Sequence, residues 1–263
     1  MTTIVRHTHF LDGLAVHPGD GSVWASALDP NRGPEEHIVR IDPDTGETER
    51  FLVGLPFPLG VDFDAEARLH VATWNDRSVW RLEANGSGLV VTTGSDFPSA
   101  VLALDDGTLL VNNYTLGTVD RVRDDGSREG FVTEPAGFGL HDMVRAPDGT
   151  IYAGNFEDGR IFELLPQGRA RPIADMQTRM GFLTWLDGNL YVTAADRGMV
   201  WRITPDGEIS TFAGSGSPGH VDGPALEATF DANGIVGDPK RHVLYVGERD
   251  GSLRRIPLVA PTD

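Results

Sequence analysis

The chain has 263 residues, 40% of them hydrophobic, and a formal net charge of −17. Without cysteine it forms neither disulfides nor thiolate metal sites, and so acidic a chain disfavours nucleic acid and anionic membranes, which need a basic face. It has no apolar run long enough to span a bilayer, and Met1-Thr2-Thr3-Ile4-Val5-Arg6 lacks the basic-then-apolar pattern of a secretory leader, so the protein is read as cytoplasmic.

Lys240 is the one lysine among 22 lysines and arginines, a bias expected of a GC-rich bacterial genome. Its position in the polar turn Asp238-Pro239-Lys240-Arg241 disfavours Schiff-base chemistry, which needs a desolvated amine.

In chain order, Thr3 to Phe10 reads as a strand without a local partner. One phrase then recurs six times, at a period of about 40 residues that marks a propeller or solenoid. It consists of a short apolar strand, a polar turn often reading Asp-Gly, and a second strand. It opens at Asp12-Gly13-Leu14, Leu59-Gly60-Val61, Ser99-Ala100-Val101, His141-Asp142-Met143, Met180-Gly181-Phe182 and Asn233-Gly234-Ile235. The step from the glycine position to the middle of the second strand is eleven residues from Gly13 to Trp24, Gly60 to Val71, Ala100 to Val111, Asp142 to Ala153 and Gly181 to Val192. It is twelve from Gly234 to Val246. Third strands are expected at 78–82, 118–122, 160–164, 199–203 and 252–256, where apolar and polar residues alternate. Turns such as Asp125-Gly126 and Asp206-Gly207 lead into fourth strands at 127–132 and 208–212.

Four strands repeated six times define an all-β fold, a six-bladed β-propeller occupying 1–263 as a single domain. The sixth repeat lacks a fourth strand. Thr3 to Phe10 is therefore expected to become the outer strand of the last blade and close the ring, because each blade buries its faces only against its neighbours. Two connections are long enough to act as lids or binding loops. One runs from Ala27 to His37. The other runs from Gly214 to Asp231, where Pro224 fits the first turn of a short helix.

Successive strands in a blade are antiparallel, so the residue before the first strand and the loop after the second share one end of the molecule. That end collects a ring of Asp12, Leu59, Ser99, His141, Met180 and Asn233. Outside the ring lie Trp74, Asn75, Asn113, Tyr114, Asn155, Phe156, Glu248 and Arg249. A concave mouth of this kind is the default small-molecule site. His141 reads either as an acid/base with a pKa near neutrality or as a structural histidine beside a turn. Asp12 facing it would make a catalytic pair whose environments separate their pKa values. Leu59 and Met180 would form an apolar wall, with Ser99 and Asn233 as polar substrate contacts. Arg249 either grips a carboxylate in bidentate fashion or pairs on the surface with Glu248 or Asp250. Asn75, Asn113 and Asn155 are favoured turn residues and, with Trp74 and Tyr114, also a set suited to a flat ligand. His7 and His9 have metal-like spacing but fall in the expected outer strand, facing solvent. The nucleophile elbow and the phosphate-binding loop are both absent from the sequence.

Across its whole length the chain resembles the six-bladed propellers of the SMP-30/gluconolactonase/strictosidine-synthase-like superfamily. The stretch Phe212-Ala213-Gly214-Ser215-Gly216 through Asp222-Gly223-Pro224-Ala225 to Asn233-Gly234-Ile235 is similar to NHL repeats. The resemblance implies lactone or ester hydrolysis around one axial divalent cation, most often Ca²⁺, held by oxygen ligands. The family's blade-one Glu falls on Asp12, its blade-four Asn on His141 and its blade-five Asp on Met180, whose thioether is a poor ligand for a hard cation. Asn233, beside blade one across the closure, would compensate. The expected metal site is therefore Asp12 with Asn233, holding a cation weakly or not at all. The leading expectation is a small-molecule hydrolase in which a cation, or Asp12 with His141, activates water while Asn233 and Arg249 orient the substrate. Two alternatives stand beside it: a metal-independent cyclase, isomerase or lyase of bacterial secondary metabolism, and an NHL-like protein-binding module.

Overall fold

The computed structural model describes residues 1–6, 9–29, 35–83, 85–165 and 168–258. After β1 (Thr2–Arg6), blade 1 holds β2 (Phe10–Val16), β3 (Val23–Leu28), β4 (His37–Ile41) and β5 (Thr48–Phe51). Blade 2 holds β6 (Pro58–Phe63), β7 (Leu69–Thr73), β8 (Ser78–Leu82) and β9 (Gly88–Thr93). Blade 3 holds β10 (Val101–Ala103), β11 (Leu109–Asn113), β12 (Thr118–Val122) and β13 (Arg128–Val132). Blade 4 holds β14 (Leu140–Arg145), β15 (Ile151–Asn155), β16 (Arg160–Leu165) and β17 (Arg169–Asp175). Blade 5 holds β18 (Met180–Leu186), β19 (Asn189–Ala194), β20 (Met199–Ile203) and β21 (Ile209–Ala213), and blade 6 contributes β22 (Ala232–Asp238), β23 (Val243–Glu248) and β24 (Ser252–Pro257).

Each of the first five blades is a four-stranded antiparallel meander in sequence order, and the sixth sheet runs β22-β23-β24-β1. The expected closure is present, with Thr2 opposite Arg255 and Arg6 opposite Ser252. The terminal ammonium donates to Gly223 O at 2.7 Å, and Thr3 donates to Asp222 through its N–H and its hydroxyl, both at 3.0 Å. The closing strand is shorter than expected. It ends at Arg6, and Phe10 already belongs to β2. His7 lies outside the described residues. His9 sits in the connection rather than in the strand, with its ring edge-on to the buried His37 at 4.9 Å.

The hydrophobic core lies between neighbouring blades. Leu14, Val23, Ala25, Val39 and Ile41 of blade 1 meet Val243, Tyr245 and Leu253 of blade 6. Phe182, Leu186 and Tyr191 of blade 5 meet Ile235, Leu244 and Val246 on the other side of blade 6. The expected helix after Pro224 is a single turn, in which the N–H groups of Glu227 and Ala228 both donate to Pro224 O at 3.0 Å. The Val221–Thr229 bridge pinches the segment too tightly for the several turns that would offset helix nucleation. Among the described residues, no helix is long and apolar enough to cross a membrane.

Two local devices set the geometry of the axis. First, the innermost strand pair is irregular at the ring position in five blades, between Leu11 and Leu14, Pro58 and Val61, Leu140 and Asp142, Met180 and Leu183, and Ala232 and Ile235. Such bulges redirect a side chain next to a site. Second, the glycine that follows the ring residue in blades 1, 2, 5 and 6 (Gly13, Gly60, Gly181 and Gly234) lies against the backbone of the next blade. A Cβ on Gly60 would come within 2.5 Å of Ser99 O, and one on Gly181 within 2.5 Å of Asn233 O. Gly234 is pressed more tightly still onto Asp12 O. Side chains then tie blade to blade: Ser99 Oγ donates to His141 O at 2.7 Å, Asn112 Nδ2 to Leu140 O at 2.6 Å and Thr193 Oγ1 to Asn233 O at 2.6 Å.

Candidate active site at the axial mouth

At the expected end of the ring, Phe57, Leu59, Trp74, Tyr114, His141 and Phe156 line a basin of about 120 Å³. Its rings meet mostly edge to face, with centroids 4.9 Å apart for Trp74 and Tyr114, and 5.4 Å apart for His141 and Phe156. Phe97 lies 5.1 Å from Trp74 on the outer side. Phe57 and Phe97 occupy equivalent positions in the sequences Phe57-Pro58-Leu59-Gly60 and Phe97-Pro98-Ser99-Ala100. Both have left-handed backbone, with φ of 62° and 50°. A residue before proline is normally driven to extended backbone, and a bulky left-handed residue costs about 1–3 kcal/mol. The buried Glu36 helps to hold this conformation, accepting the Phe57 N–H on Oε2 at 2.8 Å.

His141 is the bulged residue of its strand pair. Its ring lies 4.7 Å from Phe182 and 6.1 Å from Tyr114, and Nδ1 is buried without a hydrogen-bond partner among the described residues. Burial pushes its pKa down to about 4, so the ring is neutral at physiological pH. Asp12 is 4% exposed and accepts a hydrogen bond from Asn233 Nδ2 across the closure. Burial pushes its carboxyl up to about 7, against the opposing pull of the Asn233 hydrogen bond and the Arg249 charge. Arg249 is held in place by Ala195 O at 3.1 Å and Asp231 Oδ1 at 3.0 Å.

The other expected residues divide into two groups. Leu59, Trp74 and Tyr114 form the basin wall, with the Tyr114 hydroxyl directed at Glu157 Oε1 at 3.0 Å. Asn75 is exposed on the neighbouring turn. Ser99 is fully buried, its hydroxyl used on His141 O. Asn113 accepts the Asp96 N–H at 2.8 Å and donates to Thr118 Oγ1 at 3.1 Å, while Asn155 accepts the Glu157 N–H and donates to Phe138 O, both at 2.9 Å. These two amides brace turns. Met180 does not face the axis. It is fully buried, its sulfur lies over Gly154, and it joins the core between blades 4 and 5. Glu248 is likewise enclosed, with both oxygens on Arg254 Nη1 at 3.1 and 3.3 Å. Arg254, also fully buried, reaches Asp222 Oδ1 at 2.8 Å and so anchors the long 214–231 connection to blade 6.

A second, more enclosed cavity lies at the opposite end, where the sequence suggested little beyond short turns. About 370 Å³ in volume, it runs below the glycine ring and opens between Pro18, Pro239 and Lys240. Asp142 and Asp62 line it. Asp142 stands where other blades have glycine or alanine, and its carboxylate accepts the Leu183 N–H of blade 5 at 2.9 Å. Asp62 accepts the N–H groups of Ala103 at 2.8 Å and Phe63 at 2.9 Å. Burial pushes both carboxyls up to about 7, and the charges of Asp12 and Asp62 push Asp142 further in the same direction.

A hard divalent cation needs six or more oxygen ligands. Met180 is turned away and the Ser99 hydroxyl is already used, which leaves Asp12 and Asn233 as the ring's oxygen donors. That set does not fit a tightly held Ca²⁺. A second group, His220, Glu248 and Asp250, lies within 4.8 Å, but Arg254 already neutralises its central carboxylate.

The chain is an all-β six-bladed propeller with an aromatic basin at one end and a buried Asp12–Asn233 pair at the ring closure. Solved structures with this fold include a gluconolactonase from Xanthomonas campestris, with a TM-score of 0.74 and 17% identity over 98% of this chain and 88% of that one. A catalytically inactive virginiamycin B lyase from Staphylococcus aureus with quinupristin has a TM-score of 0.69 and 14% identity over 98% of both chains. An auxiliary nutrient binding protein from Bacteroides thetaiotaomicron has a TM-score of 0.79 and 16% identity over 95% of this chain and 70% of that one. No protein-family model matches the chain, and no curated protein matches it in sequence.

Proposed function

We propose that the protein is a small-molecule enzyme that works by metal-independent acid–base catalysis at the axial mouth, in the manner of a lyase, isomerase or cyclase. The observation that carries this reading is the buried Asp12 carboxyl, poised near pH 7 between Asn233 and Arg249. A group with this pKa both takes and returns a proton at physiological pH. Asn233 holds the carboxyl in place, and Arg249 supplies positive charge where negative charge develops on the substrate. His141, neutral and enclosed by aromatic rings, belongs to the wall that receives the apolar part of the substrate. The likeness to virginiamycin B lyase supports elimination. The likeness to gluconolactonase supports a second reading, lactone hydrolysis, in which Asp12 deprotonates water instead of substrate.

The test is a panel of lactones, esters and elimination substrates run with and without chelator. Turnover should survive EDTA. Its kcat/KM should rise through about pH 7 if Asp12 acts as the base, and should fall about 10²–10⁴-fold in Asp12→Asn. Full activity in Asp12→Asn, or activity abolished by EDTA and restored by Ca²⁺, would defeat the proposal.

A further inference from the structure

We propose that the aromatic basin is the subsite for one uncharged, phenyl-sized ring of the substrate. The inference rests on reading the mouth as the substrate site and adds the chemical class that the site selects.

Four observations support it. The first is size. An enclosed apolar cavity of about 150 Å³ holds benzene, and the basin, about 120 Å³ with one side open, seats a single ring while the rest of a substrate extends outward. The second is chemistry. The exposed surface of the basin is apolar throughout, because the Tyr114 hydroxyl is turned to Glu157 and His141 Nδ1 is buried. A sugar hydroxyl placed there would lose its water without gaining a partner. The walls are instead ring edges and faces in the tilted arrangements that aromatic pairs prefer.

The third is the field at the rim. Arg77 lies 4.0 Å over the Phe97 ring and Arg179 5.6 Å over Phe156. Among the basin's own rings Phe156 already carries a cation on its face, and both guanidinium charges at the rim repel a second cation. This separates the basin from a quaternary-ammonium cage and favours a neutral occupant. The fourth is strain. The left-handed conformation of Phe57 and Phe97, each before a proline, is held in two successive blades. It brings one ring into the basin wall and the other against Trp74.

Binding can be read without turnover. The full chain is titrated with toluene, phenol and tetramethylammonium, followed by calorimetry and by amide shifts in nuclear magnetic resonance. Toluene should saturate, with shifts at Leu59, Trp74, Tyr114, His141 and Phe156. Phenol should bind about tenfold more weakly, since its hydroxyl finds no partner, and tetramethylammonium should not bind. Leu59→Trp fills the basin and should abolish toluene binding. If that variant does not fold, Trp74→Ala on the exposed side should weaken toluene at least several-fold. Asp12→Asn should keep toluene affinity, so that loss of the acid–base reading and loss of this subsite are separate results. The subsite is overturned if toluene does not saturate, if phenol or tetramethylammonium binds more tightly than toluene, or if toluene binding survives both wall variants.

Discussion

Replacing Asp12 by asparagine should stabilise the protein at neutral pH while removing its proposed chemistry. The carboxyl moves from 3.8 in the unfolded chain to about 7 in the fold, so the native state holds its proton more tightly than the unfolded state. Between those values the native state binds more protons, and stability falls as pH rises. At about 1.36 kcal/mol per unit, the displacement amounts to about 4 kcal/mol. Asparagine keeps the shape and can still accept from Asn233, the carboxyl's side-chain hydrogen-bond partner. Asp62 and Asp142 are less suitable targets, because each also accepts backbone N–H groups. Relative to the native sequence, Asp12→Asn should gain nothing below about pH 4, increasingly more from pH 4 to 7, and about 4 kcal/mol above pH 7. Urea unfolding of both proteins at pH 4, 6 and 8 measures this. A difference that does not change with pH would refute the claim that burial controls this carboxyl.

Other outcomes can be checked in parallel. Arg254→Ala removes the guanidinium partner of the buried Glu248, leaving its carboxylate the Asp231 N–H and His220, and should cost about 3–5 kcal/mol by chemical denaturation. Replacing Arg254 and Glu248 together with methionine should recover most of that loss. Gly234→Ala drives a methyl into Asp12 O; a loss of about 1–3 kcal/mol or more is expected, with Asp12 displaced and turnover reduced, and unchanged stability would contradict the close approach. Deleting residues 1–6 removes β1 from blade 6 and should lower the melting temperature markedly, read by thermal unfolding monitored by circular dichroism. Because the ring offers few oxygen donors, millimolar Ca²⁺ should leave the melting temperature unchanged, whereas a bound cation would raise it by mass action.

The fold was legible because its signal is repeated. An eleven-residue step from Gly13, Gly60, Ala100, Asp142 and Gly181 specifies equivalent hairpins, and one blade short of a strand points to Thr3 and its neighbours as the missing piece. Strand direction then places Asp12, His141 and Asn233 at one end. The turn of each ring side chain was not legible, because it depends on what lies in the adjacent blade. Met180 rotates into the core because Gly154 leaves room for its sulfur, and the Ser99 hydroxyl is consumed by the His141 carbonyl of the next blade. Asn113 and Asn155 satisfy local turns, as their residue type favours. Asp142 standing in a glycine position was a cue to the cavity at the opposite end, which it lines. The repeated Phe-Pro at 57–58 and 97–98 was an available cue to the basin, since aromatic residues at matched positions converge in a ring.

The pairing of β1 with β24 joins segments roughly 250 residues apart. Closing so long a loop carries a large but slowly growing entropic cost, and contacts of such separation form late. During synthesis, the first strand therefore waits with its edge unpaired until the last hairpin emerges, and this interval is when the chain is most open to wrong pairings. Once latched, the same contact works in reverse. Opening the circle means stripping a whole strand before any blade can leave, so unfolding should be slow even where the equilibrium margin is small.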